Sequence, residues 1–433
     1  MFTKNERNGG AFAPKSAILL RGNEKMKKSL QRKYAKLLVK QGINIQKGQQ
    51  LNIGADVEAA EFVAILAEEA YRAGAGNVRV DWSMTQLTKL SYRHRTVRSL
   101  CNVPDWQVEK VKHDSEILPA RIRLICEDPD GLAGVNQEKV ARASIAISKK
   151  VKPYRDAMDN KHQWLVCAIP GKAWAKKVFP NERTSVAVEK LWEAILATVL
   201  CDEENDAIAA WDKKNENFRA KCDWLNAQQF DYLHYTSKNG TDFKCELMKE
   251  SVWCGGGEYT LSGVFYNPNM PTEEIFTTPK KASCSGRLVS AMPLSARGTL
   301  IENFYIDFED GRAVAWHAEK GEEALGKIIT TDEGSRMLGE LALVPKDSAI
   351  AESGLLYYNT LFDENASCHV ALGMGYTGCV KGFENMTLDE LHELGVNDSM
   401  IHVDFMIGSK DLCITGYKDG KAVPIFVDGK WAE

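Results

Sequence analysis

The sequence has no long hydrophobic run. No stretch of its 433 residues approaches the roughly 20 apolar residues that a membrane helix needs, so no membrane association is expected. It has no excess of positive charge: 55 Lys and Arg face 59 Asp and Glu, a net charge of −4. Nucleic acid therefore has no electrostatic case as the main partner. It has no Cys-x-x-Cys pair. Its 11 cysteines are odd in number and scattered, a pattern of reduced thiols and small core residues in a cytoplasmic protein. There is no internal repeat and no low-complexity tract. The first residues carry only a short apolar patch, Ala17 to Leu20, with basic residues close behind. That is too weak for the core of a signal peptide, and residues 1–29 read as an N-terminal extension.

What is present is an ordinary globular composition, 44% hydrophobic and 26% charged, on a chain longer than one core usually supports. Two domains are expected. The pattern Tyr34, Leu37, Leu38 predicts a helix that Gly42 stops. Residues 50–54 read as a strand, and 58–71 as a helix with Phe62, Ile65, Leu66 and Ala70 on one face. Gly74 and Gly76 end it, and residues 77–82 alternate like a strand. Strand, helix, glycine turn, strand is the signature of a mostly parallel sheet. Further strands are predicted at 122–126 and 164–169, and helices at 138–151, 185–200 and 208–225. After that the helical period fades. Segments 230–235, 242–247, 287–292, 299–308, 313–317 and 402–407 read as strands and hairpins. Helices are expected there only at 322–328, 331–338 and 388–394. The fold class is thus an α/β N-terminal domain with a mostly parallel sheet, residues 30–228, plus a β-rich α+β C-terminal domain, residues 229–433.

The chemistry concentrates in the second half. In Asn359-Thr-Leu-Phe-Asp-Glu-Asn-Ala-Ser-Cys-His369, polar groups lie between the apolar Leu355, Leu356 and Val370, Ala371, Leu372. Polar groups held against a core must be paired, ligated or catalytic. His369 is a candidate metal ligand. The plainer alternative is a satisfied core histidine, with Asp363, Glu364 and Asn365 forming an Asx-type turn. Glu340 opens an apolar run and needs a partner there; a salt-bridged edge residue is the alternative. His402 and Asp404, two apart on a predicted strand, share one face. They suit one metal, or a His–Asp hydrogen bond. Pro268 and Pro271 fix the backbone ahead of Glu273 and Glu274. If that segment is extended, only one of the pair faces a site; two solvated acids on a turn are the alternative. Together these segments supply three carboxylates and two imidazoles. A single catalytic zinc takes three protein ligands, so five suit a two-metal centre better, with one carboxylate bridging.

Asn269-Met-Pro-Thr-Glu-Glu-Ile-Phe-Thr277, Gly339-Glu-Leu-Ala-Leu-Val-Pro345, the His369 stretch with Tyr376, and His402-Val-Asp-Phe-Met-Ile-Gly408 together resemble the thermophilic-type metallo-aminopeptidases, the aminopeptidase T/PepS group. The first half is similar too, at Tyr34-Ala-Lys-Leu-Leu-Val39, Glu68-Glu-Ala-Tyr-Arg-Ala-Gly-Ala75, Val178-Phe-Pro180 and Asn239-Gly-Thr-Asp242. The resemblance runs in order from about residue 30 to the C-terminus. It implies metal ligands at Glu274, Glu340, His369, His402 and Asp404, with Tyr376 as a catalytic residue. It makes the C-terminal domain the metal-binding one. It also implies two divalent metal ions (zinc, cobalt, manganese or magnesium), a homodimer, and two domains enclosing the site. Taking Glu274 rather than Glu273 rests on the family's ligand spacing. The segment before residue 30 and Cys254-Gly-Gly-Gly257 depart from the family pattern, which bears on substrate preference more than on chemistry.

The activity so implied is release of N-terminal residues from peptides with a free N-terminus. One ion would polarise the scissile carbonyl, and metal-held water of lowered pKa would attack. Tyr376 would donate to the oxyanion and a carboxylate would take the proton. Glu340 is the expected bridging ligand, and bridging is not separable from general-base duty by sequence. The alternative is a catalytically silent metal-binding or scaffold homologue. A nucleotide-binding oxidoreductase would need more than Gly373-Met-Gly-Tyr-Thr-Gly378, because no convincing helix start follows it. The absence of HExxH disfavours a thermolysin-type zinc peptidase. Cys368 and His369, adjacent on a strand, face opposite ways and make a poor nucleophile–base pair.

Overall fold

Four parallel strands organise the first half: Gln50–Asp56, Asn77–Ser83, Ala120–Ile125 and Trp164–Ala168. The structure, a computed structural model, describes residues 26–296 and 299–432. Residues 1–25 of the expected N-terminal extension lie outside the described residues. In space the strands stand second, first, third, fourth, and each pair is parallel. Helix Ala60–Ala73 makes the first crossover and ends at Gly74, whose φ of 110° is open to glycine at no steric cost. Leu51, Ile53, Leu124 and Leu165 are buried in the sheet. Tyr34, Phe62 and Trp192 pack against one another over it, ring centroids 5.6 to 6.4 Å apart.

Helix Ala207–Gln228 joins the two halves. Its Trp211 belongs to the first core, while Phe218, Cys222 and Leu225 belong to the second. Two large antiparallel sheets and a two-stranded one, Glu258–Tyr259 with Phe265–Tyr266, follow, as the α/β plus β-rich α+β reading expects. One of the large sheets has nine strands. The other has five, in the spatial order His402–Met406, His369–Gly373, Leu338–Leu343, Ile275–Thr277, Cys254–Gly255. The sheets pack through rings such as Phe304 and Phe405, 5.5 Å apart. Among the described residues no helix is long and apolar enough to cross a membrane.

Two expectations are corrected. Residues 331–338 are not a helix: a short 3-10 turn, Gly334–Arg336, leads into the strand at Leu338. Asp332 holds that turn by accepting the Ser335 and Met400 amides, and Gly334 packs on the Asp398 backbone with no room for a side chain. The helix expected to end at residue 151 runs on through Pro153 as Gln137–Met158. The carbonyl that Pro153 cannot serve belongs to Lys149, an exposed residue. Cys245 and Cys284 lie side by side across neighbouring strands, their Cα atoms 4.2 Å apart. The register Ser285 opposite Lys244 continues to bring the two face to face, which their separation of 39 residues does not announce.

Candidate metal centre

The five-stranded sheet turns one face to the nine-stranded sheet and the other to the site. Period-two alternation sends Leu341, Leu343, Val370, Leu372 and Phe405 into the core. The intervening residues face the other way. Register aligns Glu340 with Ala371 and Ala371 with Asp404, and pairs Gly373 with His402 and Ala342 with His369. Small residues (Ala342, Ala371 and Gly373) therefore form the floor, and the five candidate ligand side chains rise around it. A β-bulge between Leu338 and Glu340 re-aims the glutamate. Gly339 permits that bulge, because a Cβ there would stand 2.2 Å from the Met374 carbonyl oxygen.

Glu274 precedes the strand Ile275–Thr277 and faces the site. Its neighbour Glu273 turns away to Lys214, 2.8 Å from its ammonium, as extended backbone requires. Glu274 Oε2 lies 3.2 Å from His369 Nε2. His402 Nε2 lies 3.0 Å from Glu340 Oε2 and 3.1 Å from Asp404 Oδ1. The ligand atoms of Glu274, Glu340 and His369 lie within 4.8 Å of one another, and so do those of Glu340, His402 and Asp404. Glu340 belongs to both triads. Among the described residues these are the groups able to hold a metal ion.

Both imidazoles are oriented as ligands are. Their Nδ1 atoms meet backbone carbonyls, that of His369 at Ser367 (3.2 Å) and that of His402 at Met374 (2.8 Å). An Nδ1–H that donates there leaves Nε2 unprotonated and aimed at the carboxylates. Without an ion the cluster holds protons instead. Burial lowers the pKa of His369, but its hydrogen bond to Glu274 and the nearby carboxylates push it up to about 9. Asp404 and Glu340 likewise outweigh burial at His402 and push it up to about 11. Burial, offset in part by His402, raises Glu340 to about 7. Buried carboxylates this close need cations. Hard oxygen donors mixed with imidazole suit divalent zinc, cobalt or manganese, so the residues fit the implied ions.

Tyr376 enters from the loop after His369–Gly373. Its hydroxyl is 3.2 Å from His402 Nε2, and Phe276 packs edge-on to its ring. Burial and then the neighbouring carboxylates hold its pKa well above the usual phenol range, so it remains a donor. Thr278 fastens the loop through the Tyr376 amide and carbonyl. Cys368 faces the core and donates to the Val344 carbonyl, away from the site. Gly373 to Gly378 ends a strand and enters a 3-10 turn rather than a helix, so it forms no dinucleotide fingerprint.

Sequence reasoning left Asp363, Glu364 and Asn365 open, and the structure separates them. Asp363 is a turn-former that accepts the Tyr357 and Asn359 amides. Asn365 Oδ1 accepts the Glu273 amide at 2.6 Å and so steadies the Glu274 segment. Glu364 lies in a cavity of about 1450 Å³ between the two halves, with Asp404 and Met374 on one side and Arg123 and Lys149 on the other. Its role had no signal in the sequence beyond its acidic company.

Known proteins share this fold. Aminopeptidase AmpS of Bacillus subtilis (strain 168) is 41% identical over 401 residues, which cover 92% of this chain and 97% of that protein. Wild-type AmpT from Thermus thermophilus has a similar structure, with a TM-score of 0.86 at 38% identity, covering 94% of this chain and 100% of that one. A 2,5-dihydroxypyridine dioxygenase from Pseudomonas putida KT2440 shares the fold alone, with a TM-score of 0.52 at 13% identity, covering 93% of this chain and 96% of that one. The pattern of the thermophilic metalloprotease (M29) family matches residues 27–431, and the chain belongs to that family.

Proposed function

We propose that this protein is a metal-dependent aminopeptidase, releasing N-terminal residues from peptides at a dinuclear centre. The observation that carries the reading is Glu340, which is common to two ligand triads. Glu274 and His369 would hold one ion, His402 and Asp404 the other, and Glu340 both. When bound, two divalent ions would supply Lewis acidity and lower the pKa of water at the site. Tyr376, kept protonated, donates to the oxygen that gains charge as the scissile carbonyl becomes tetrahedral. A carboxylate of the cluster takes the proton released by the attacking water. The cavity receives the peptide, and its opposing walls exclude bulk water from the reacting carbonyl. We place the domain boundary near residue 228 and expect a cytoplasmic homodimer.

The test is a panel of aminoacyl-p-nitroanilides and short peptides, assayed before and after chelation with metals restored. Chelator-sensitive release from free N-termini, and none from N-acetylated peptides, is expected. Metal binding without turnover on any member would favour a catalytically silent homologue.

A further inference from the structure

An oxyanion donor works only where it is held. A misplacement of about 1 Å can cost roughly a hundredfold in rate, and groups on strands are placed more sharply than groups on loops. Tyr376 is on a loop, beyond the end of the strand His369–Gly373. It is 38% exposed, although its hydroxyl lies among the carboxylates of the site. Something outside the loop has to fix it.

The segment that carries Glu274 supplies the fixing. Ile275 is in the core, so period-two alternation turns Glu274, Phe276 and Thr278 toward the site. Glu274 reaches His369. Phe276 meets the Tyr376 ring edge-on, centroids 5.4 Å apart. Thr278 Oγ1 accepts the Tyr376 amide at 2.8 Å and donates to the Tyr376 carbonyl at 3.1 Å. One buried hydroxyl thus holds both polar backbone groups of Tyr376. Thr278 is anchored in turn by its neighbours: Thr277 Oγ1 donates to the Val252 carbonyl at 2.9 Å, and Pro279 bridges to Leu247. The Thr278 methyl packs over Gly375, where a Cβ would stand 2.9 Å from it. From this footing the Tyr376 hydroxyl reaches to 3.2 Å from His402 Nε2.

We infer that Thr278 is a positioning residue: its hydroxyl ties the Tyr376 donor to the segment that bears Glu274, so that donor and metal centre keep one spacing. This rests on the aminopeptidase reading above. The test compares zinc-loaded wild type with Thr278→Val, Thr278→Ser, Tyr376→Phe and the double variant Thr278→Val with Tyr376→Phe. Leucyl-p-nitroanilide kinetics, zinc content and calorimetric binding of the phosphonic acid analogue of leucine, a tetrahedral anion, are read for each. Thr278→Val should lower kcat about ten- to a hundredfold at unchanged KM and full zinc, and Thr278→Ser should regain most of it. On the Tyr376→Phe background the same change should cost no more than about twofold, because the donor it positions is gone. The phosphonate should bind Thr278→Val about tenfold more weakly, again with no further loss in the double variant. An equal loss on both backgrounds overturns the proposal, as does lost zinc, a wild-type kcat in Thr278→Val or an undiminished kcat in Tyr376→Phe. Where Thr278→Val does not fold, Thr278→Cys, a weaker donor and acceptor, is read in its place. Phosphonate binding that depends on Thr278 only while Tyr376 is present, on a protein that cleaves no anilide, would support the positioning role and sink the peptidase reading. A protein that neither cleaves the anilide nor binds the phosphonate would sink both.

Discussion

Glu340 and His402 meet at 3.0 Å although their strands are not neighbours. The strand His369–Gly373 runs between them, with Ala371 opposite Glu340 and Gly373 opposite His402. The two side chains close over small residues, which leaves the space an ion needs. Glu340→Gln removes the ligand common to both triads. It is expected to reduce bound metal at both positions together, with activity at background, while the ion-free protein stays folded. Metal analysis of the purified variant checks this, and wild-type turnover with full metal would refute the assigned site.

Protons and metal compete for the same imidazoles. In the ion-free fold His369 is pushed up to about 9 and His402 to about 11, against an ordinary 6.5. A group with a raised folded pKa stabilises the fold below its unfolded value and loses that contribution as pH rises through the folded one. The ion-free protein should therefore lose stability from about pH 6.5 through 9 and on toward 11. Metal affinity should rise over the same window, with proton release on binding. Thermal melts of chelated and zinc-loaded protein, and calorimetry in buffers of different ionisation enthalpy, read both effects.

Tyr376→Phe keeps the ring against Phe276 and removes only the donor. The kcat should fall about 10²- to 10³-fold with metal content unchanged. A variant with undiminished kcat would remove Tyr376 from the chemistry.

Gly339→Ala is a one-carbon test of the bulge. Its Cβ would meet the Met374 carbonyl oxygen at 2.2 Å, and that carbonyl also holds His402 Nδ1. We expect a stability loss of about 1 to 3 kcal/mol in denaturant melts, with metal affinity down about ten- to a hundredfold.

The strands that carry the ligands were legible because short apolar runs alternate, and two-residue spacing on a strand places His402 and Asp404 on one face. That spacing also explains why Glu274 enters while Glu273 leaves. What it does not reveal is which strands become neighbours. Ala371 lies between Glu340 and Asp404 through pairing of segments 30 residues apart or more, and the Cys245–Cys284 contact depends on register in the same way. Residues 331–338 misled for the opposite reason. Their local pattern is helical, and tertiary bonds to Asp332 win over it. Glu364 remained ambiguous because an acidic turn and an acid facing a cavity look alike until the turn is fastened.

The most direct measurement is a metal titration of chelator-treated protein, with leucyl-p-nitroanilide hydrolysis and bound metal followed together. The account predicts that activity returns fully only as the second equivalent of zinc, cobalt or manganese binds per chain. Full activity at one equivalent, or none at two across a range of free-amine substrates, would contradict it.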